Sequence, residues 1–419
     1  MALANALKNM PRLLCCLFAL CPAQQLFSQN KKPEKKDSLY ISSYNGGFDD
    51  FIKEAISTSK VAVIDKDLRV SKTIEVAGDL VLTGKKKPLI RNEAPILFLL
   101  KQGNHNFSNF NIIQVPGAVA FSTFIENNII WNNTIKQVNV TGGRQAYASS
   151  RGGLYDASID AVTTWSGTTI EDCVFKTSYV CISVFSQDGP AKYLHMRNVD
   201  LYCDTAHNMY VHPNVSLRFY NVRSMKVGTP GVAIHHYSGG GGENGKGVIS
   251  NARYVEIKKC TTNWDPDLKG GMWQLAEPIT GVVIMDSCDL APYSIPLPNM
   301  MATNCRFFNG GGGAFVKGKL FNCKGTIWPT DGTTIDRSDL DELNLRGGGN
   351  IIVKNTKVKT VFGDQKPVNI SFENTAIEGM KISNPKPSKV TMKKGSKVKT
   401  YLWGWKPEAG LMVVDNSKN

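Results

Sequence analysis

The chain has 419 residues, a formal charge of +14 and ten cysteines. Length alone suggests two or three domains, but a repeat architecture escapes that rule, because each unit buries its face only against its neighbours. No segment beyond residue 29 is apolar enough to cross a bilayer, and no CxxC pair occurs, which argues against a membrane helix bundle, a zinc ribbon and a disulfide framework.

In chain order, Lys8 and Arg12 precede a short apolar run from Leu13 to Leu20, with polar residues from Gln24. That pattern predicts a signal peptide over 1–29, cleaved between Cys21 and Gln29, and a secreted, periplasmic or cell-surface protein. Leu20 is bulkier than the small residue a lipid-anchoring site takes before its cysteine, which disfavours an anchor at Cys21. After a linker over 30–47, Phe48, Phe51, Ile52, Ala55 and Ile56 fall at helical spacing, with Asp49 and Asp50 near the helix start. Three short alternating segments follow: VAVI at 61–64, LRVSKTIEV at 68–76 and LVLTG at 80–84. The helix is expected to cover the open edge of a first coil.

Beyond them, short apolar-patterned stretches recur, each ending in Asn or Cys. The series is Asn109, Asn133, Cys173, Asn198, Asn221, Cys260, Cys288, Cys305, Cys323, Asn355 and Asn374. Most intervals fit one coil, and the longer ones one coil plus a loop. Asn at a tight bend can bond its counterpart one coil away, and Cys, small and apolar, suits the same inward corner. The seven cysteines beyond the leader are therefore read as packing residues.

These features together resemble the pectate lyase-like superfamily, over roughly residues 48 to 385. The resemblance implies an all-β fold: a single-stranded right-handed parallel β-helix, a solenoid with an N-terminal capping helix, over 48–389, and a cap or tail over 390–419 that includes TYLWGW at 400–405. It specifies activity poorly, since that superfamily includes lyases, hydrolases, epimerases and adhesins.

Five of the six histidines fall between His195 and His236. In HNMYVHP, 207–213, inward Met209 and Val211 leave Asn208, Tyr210 and His212 facing out. In GVAIHHYSG, inward Val232 and Ile234 leave His235 and Tyr237 outside, while His207 and His236 take the inward parity. Asn198 and Asn221 stand as far apart as His212 and His235, so these two imidazoles are expected on adjacent strands. Gln187 and Gln274 occupy the flanking coils, and Arg218 lies on another strand of the coil.

A neutral His can act as base and a Tyr as acid in elimination next to a carboxylate, which a cation must neutralise. The leading expectation is thus a polysaccharide lyase on a uronate-containing glycan. His212 or His235 would be base, Tyr210 or Tyr237 acid, and Arg218 the neutraliser, with Asn208, Gln187, Gln274, Arg144, Arg151 and Lys246 as substrate contacts. Noncatalytic glycan binding remains open. So does hydrolysis, for which Asp156, Asp160, Asp188 and Asp204 are the convenient carboxylates.

No outward acidic cluster supports calcium, and no cofactor is expected. The loop SGGGGENGKG, 238–247, lacks the Ser or Thr of a phosphate-binding loop and reads as a flap. The basic exterior, concentrated over 354–418, predicts an anionic polysaccharide partner rather than nucleic acid, and a monomer.

Overall fold

The structure, a computed structural model, describes residues 37–123, 132–149, 167–184, 192–204, 208–211, 215–226, 232–236, 254–262, 272–275, 282–292, 297–307, 315–385 and 387–415. Every strand pairing among them is parallel, and each strand pairs with its counterparts one coil before and one coil after, which defines a parallel β-helix. Two stacks of strands run the length of the solenoid. A third flanks them from Ile74–Ala77 to Met272–Leu275.

The alternation seen in the sequence places every second side chain inside. One interior column of the first stack is unbroken through Leu82, Phe107, Ile135, Ile170, Met196, Phe219 and Ile257. It continues through Met285, Ala302, Leu320, Ile335, Val353, Phe372 and Met392. All of these residues are buried. Each large side chain in such a column contributes about 1.5–3 kcal/mol by leaving water.

The recurring corner between the first and second stacks is built from two residues, not one. The first adopts positive φ: Asn109, Gln137, Asp172, Asn198, Asn221, Lys259, Ser287, Asn304, Asn322, Arg337, Asn355 and Asn374. The next points inward, and here Cys173, Cys260, Cys288, Cys305 and Cys323 are buried, with no disulfide among the described cysteines. Burial drives the thiols of Cys173 and Cys323 up to about 12, and at Cys288 the contact with Cys260, with burial behind it, does the same.

Two members of the predicted series change. In its coil Gln137 makes the turn, whereas Asn133 lies inside a strand, bonded to His105 Nδ1 at 2.7 Å. The long interval from Cys323 to Asn355 holds two coils, because Arg337 makes a turn that carries neither Asn nor Cys.

The corner amides form ladders. Asn198 Nδ2 donates to Asp172 Oδ1 at 2.8 Å, and Asn221 Nδ2 to Asn198 Oδ1 at 2.9 Å. The same bond links Asn322 to Asn304 at 2.6 Å and Asn374 to Asn355 at 2.9 Å.

At the N-terminal side the helix Phe48–Ser57 buries Phe51, Ile52 and Ala55, and Phe48 meets the ring of Phe98 at 6.2 Å. A strand at Ser38–Tyr40 pairs with Val61–Ile64 inside the stretch read as a linker, since its backbone can extend the first stack. At the other end the strands Lys389–Lys393, Lys397–Tyr401 and Met412–Asp415 continue the stacks past residue 389.

The late basic excess is partly interleaved with acid. Asp336, Lys354 and Glu373 oppose one another on successive coils, and Lys354 Nζ lies 3.6 Å from Glu373. Lys359 likewise bonds Asp341 across one coil.

Replacing Asn322 with Ala removes a ladder bond and leaves at φ +53 a residue without the polar side chain that eases the left-handed conformation, at an expected cost of about 1–2 kcal/mol. Asn322→Gly keeps the turn and should lose less. Urea midpoints of the two variants check the order.

Candidate active site

The first stack turns one polar column outward: Thr134, Thr169, His195, Arg218 and Glu256 face one another in register across five coils. Alternation fixes this, since Leu194, Met196, Leu217, Phe219, Val255 and Ile257 on either side are all interior. Two residues earlier on the same strands, Asn132, Gly167 and Tyr193 form the neighbouring column. A β-carbon on Gly167 would stand 2.2 Å from the Tyr193 ring, so glycine there lets the phenol lie across the sheet. The Tyr193 hydroxyl donates to Asn132 Oδ1 at 3.2 Å.

The result is a compact cluster. The His195 ring lies against Tyr193, tilted by 33° with ring centroids 4.5 Å apart, and its Nε2 is 2.7 Å from the Tyr254 hydroxyl. The Arg218 guanidinium lies over the Tyr254 ring at 4.9 Å, and its Nε donates to Glu256 Oε2 at 2.8 Å. In the next outward column Glu171 sits between Lys136, at 3.4 Å, and Arg197, at 3.5 Å.

Partial burial, with the positive charge of Arg218 acting in the same direction, pushes the His195 imidazole down to about 4 against the opposing pull of Glu256. Burial also raises the Tyr193 phenol. His195 is therefore neutral near pH 7. The pair His195–Tyr254 can pass a proton in either direction, with the tautomer deciding which atom donates. Glu256 adds a carboxylate held in place by Arg218.

Only one residue of this cluster, Arg218, was among the sequence-predicted site residues. Its charge is met by Glu256, which departs from the expected role of carboxylate neutraliser. Sequence reasoning does not single out Tyr193, Tyr254 or Glu256, and it gives His195 no role. The available signal was parity: YLHMRN and YVEIKK place them outward on the strands of that same stack.

The other expectations divide by place. Tyr210, His235 and Gln274 lie opposite one another on the third stack, away from the stack that carries Arg218. The expected pairing of His212 with His235 does not hold, because the third stack pairs Tyr210 with His235. An interval measured at the Asn corner does not carry to another stack when the connections between them differ in length.

Asn208 does not face out. It is buried in the bend before the strand Met209–Val211, where its Nδ2 donates to the Leu201 carbonyl at 3.2 Å. Alternation begins only at Met209, so the outward parity expected of Asn208 does not reach it. Arg144 stands before the third-stack strand Gln145–Ser149, with its guanidinium 4.7 Å from the Tyr179 ring. Asp204 is exposed at the end of its strand. His212, Tyr237, Gln187, Arg151, Lys246, Asp156, Asp160, Asp188 and the loop 238–247 lie outside the described residues.

Among the described residues no group of three His, Cys, Asp or Glu side chains is arranged to hold a metal ion. No helix among them is long and apolar enough to cross a membrane.

No family model matches the sequence, and no curated protein does. Three solved structures are similar to the chain, each with this chain covered over 92% of its length. One is the catalytic domain of a GH87 alpha-1,3-glucanase variant in complex with tetrasaccharides, at 9% identity, 69% coverage of that chain and a TM-score of 0.34. The second is the Agl-KA catalytic domain, at 9%, 68% and 0.31. The third is the GH87 alpha-1,3-glucanase catalytic domain in complex with nigerose, at 8%, 69% and 0.32. The chemistry of this chain rests on its own residues.

His195 gives a pH prediction. Its folded pKa lies below the usual 6.5, so the unfolded chain binds the extra proton first as pH falls. Its contribution to stability is whole above about pH 6.5 and lost progressively toward pH 4. The imidazole resonances of His195 should show no titration between pH 7 and 5, and wild type should lose more urea resistance than His195→Asn over that range. A midpoint near 6.5 for the resonances would contradict the burial of the ring.

Proposed function

We propose that this chain is a secreted carbohydrate-active β-helix protein that cleaves a polysaccharide laid along the outward face of the first stack. The observation that carries this is the cluster Tyr193–His195–Arg218–Tyr254–Glu256. Two aromatic rings, a neutral imidazole and a carboxylate converge on an exposed face that repeats from coil to coil, which suits an extended polymer. The likeness to the pectate lyase-like superfamily and the leader-like N-terminal sequence support the same reading.

Of the two cleavage reactions, hydrolysis is favoured over elimination from a uronate. Elimination needs a cation for the substrate carboxylate, and the expected one, Arg218, already bonds Glu256. In the hydrolytic reading Glu256 is one of the two carboxylates such chemistry uses, and the Arg218 bond orients it. In sequence, Asp160 and Asp188 shortly precede the strands Gly167–Thr177 and Lys192–Cys203, and they are the candidates for the second. His195 and Tyr254 hold the sugar hydroxyls and relay protons.

The test incubates purified protein with a panel of neutral and acidic polysaccharides, following new reducing ends together with ultraviolet absorbance from unsaturated sugar ends. Reducing ends without absorbance support hydrolysis. A rise in both restores elimination, and saturable binding without product would make the chain a binding module. Glu256→Gln is expected to lose about 10²–10⁴-fold in turnover, and Tyr254→Phe to lose less, with circular dichroism unchanged. Full activity in Glu256→Gln would remove this carboxylate from the reaction.

A further inference from the structure

The segment TYLWGW, 400–405, takes no part in the cluster around His195. Its short turn, Leu402–Gly404, is pinned by Leu402, whose Cδ2 would stand 2.6 Å from a β-carbon on Gly379. The packing of leucine on glycine fixes where the next residue goes. Trp403 then adopts φ +52, a left-handed conformation that bulky side chains avoid. Trp403 is 73% exposed, the most of any large hydrophobic residue among the described ones.

That indole is nevertheless held in a defined orientation. The Phe362 ring meets it edge-on at 6.0 Å and 78°, and Lys381 Nζ stands over it at 4.8 Å. Phe362 is itself fixed by the guanidinium of Arg346 at 5.5 Å, which also covers Trp328 at 5.6 Å and bonds Asp364 at 3.2 Å. Aromatic rings and cations thus alternate over successive coils, and the series ends on an open indole.

Backbone strain held at a rigid, exposed aromatic marks a binding device more than a packing one. The open surface is that of a single ring, far below the roughly 800 Å² that a protein partner would cover. A flat apolar face of this size fits one pyranose ring, and the ammonium standing over the indole fits a carboxylate or sulfate on that sugar.

We propose that Trp403, with Phe362 and Lys381, forms an ancillary binding site for one ring of an acidic polysaccharide. The inference rests on the polysaccharide reading above but assigns a second place on the chain. Counted along the column from His195 through Ser371 to Thr391, the two places are separated by nine coil steps, on the order of 40 Å at about 4.8 Å per coil. The outer site would tether the polymer while the cluster around His195 acts on it.

The test is affinity electrophoresis of the full chain in gels containing polygalacturonate, alginate or chondroitin sulfate, with dextran as the neutral control. Wild type should be retarded by at least one acidic polymer, less so as salt is raised. Trp403→Gly, which accepts the left-handed backbone, should lose at least tenfold in affinity while its urea midpoint stays level or rises. Lys381→Gln should weaken binding less. Undiminished retardation of Trp403→Gly would overturn the proposal, as would a wild type retarded by dextran alone or by nothing.

Tyr254→Phe and Glu256→Gln in the same gels separate this inference from the proposed function. Retardation lost only in those two places the glycan at the reaction centre and removes Trp403 from binding. Retardation lost only in Trp403→Gly, from a protein that cleaves nothing in the panel, leaves the tether standing and overturns the hydrolytic reading.

Discussion

From the coil of Asn109 to that of Asn374 this solenoid depends on one backbone event per coil, the left-handed turn between the first and second stacks. A residue at positive φ reverses the pleat for a single step, so the side chain after it points inward and the next strand starts in phase. The steric cost at a residue other than glycine is on the order of 1–2 kcal/mol. Where the residue is Asn, its amide bonds the coil below and offsets that cost. Where it is Lys259, Arg337 or Gln137, parallel pairing on both sides of the turn holds the conformation instead.

That turn explains why Cys173, Cys260, Cys288, Cys305 and Cys323 are buried. They occupy the position just inside it, which points into the core. Down the same position Phe110, Val138, Val199, Val222, Ser338, Thr356 and Thr375 accompany the cysteines, all buried. A thiol there loses its water without gaining a cation, so ionisation becomes unfavourable and neither metal nor redox chemistry is favoured.

The fold was legible because its signals are local. Helical spacing from Phe48, alternation at 61–64 and 80–84, and Asn or Cys at the turns each report on a few consecutive residues. The coil turning at Arg337 was invisible for the same reason, since an arginine at a left-handed position leaves no compositional mark. Asn133 misled in the opposite sense: it sits inside a strand because a buried polar group, His105, takes its amide, and a rule about bends cannot see an interior partner.

The site was less legible because it depends on register between coils, and register is set by loop lengths that alternation does not encode. Parity correctly turned Arg218 outward and kept Met209 inward. It could not say that Tyr254, across a long insertion, would come back beside His195. Clustered histidines therefore drew attention to the 207–236 segment, whereas the partner of an outward residue on a β-helix is whatever stands one coil away. For His195 that coil supplies Arg218, and the coil beyond it Tyr254 and Glu256. A column assembled from several coils also explains how a half-open surface keeps an imidazole neutral. Tyr193 covers one side of the ring, Arg218 opposes its protonation, and Glu256, already engaged by Arg218, attracts the proton too weakly to reverse the effect.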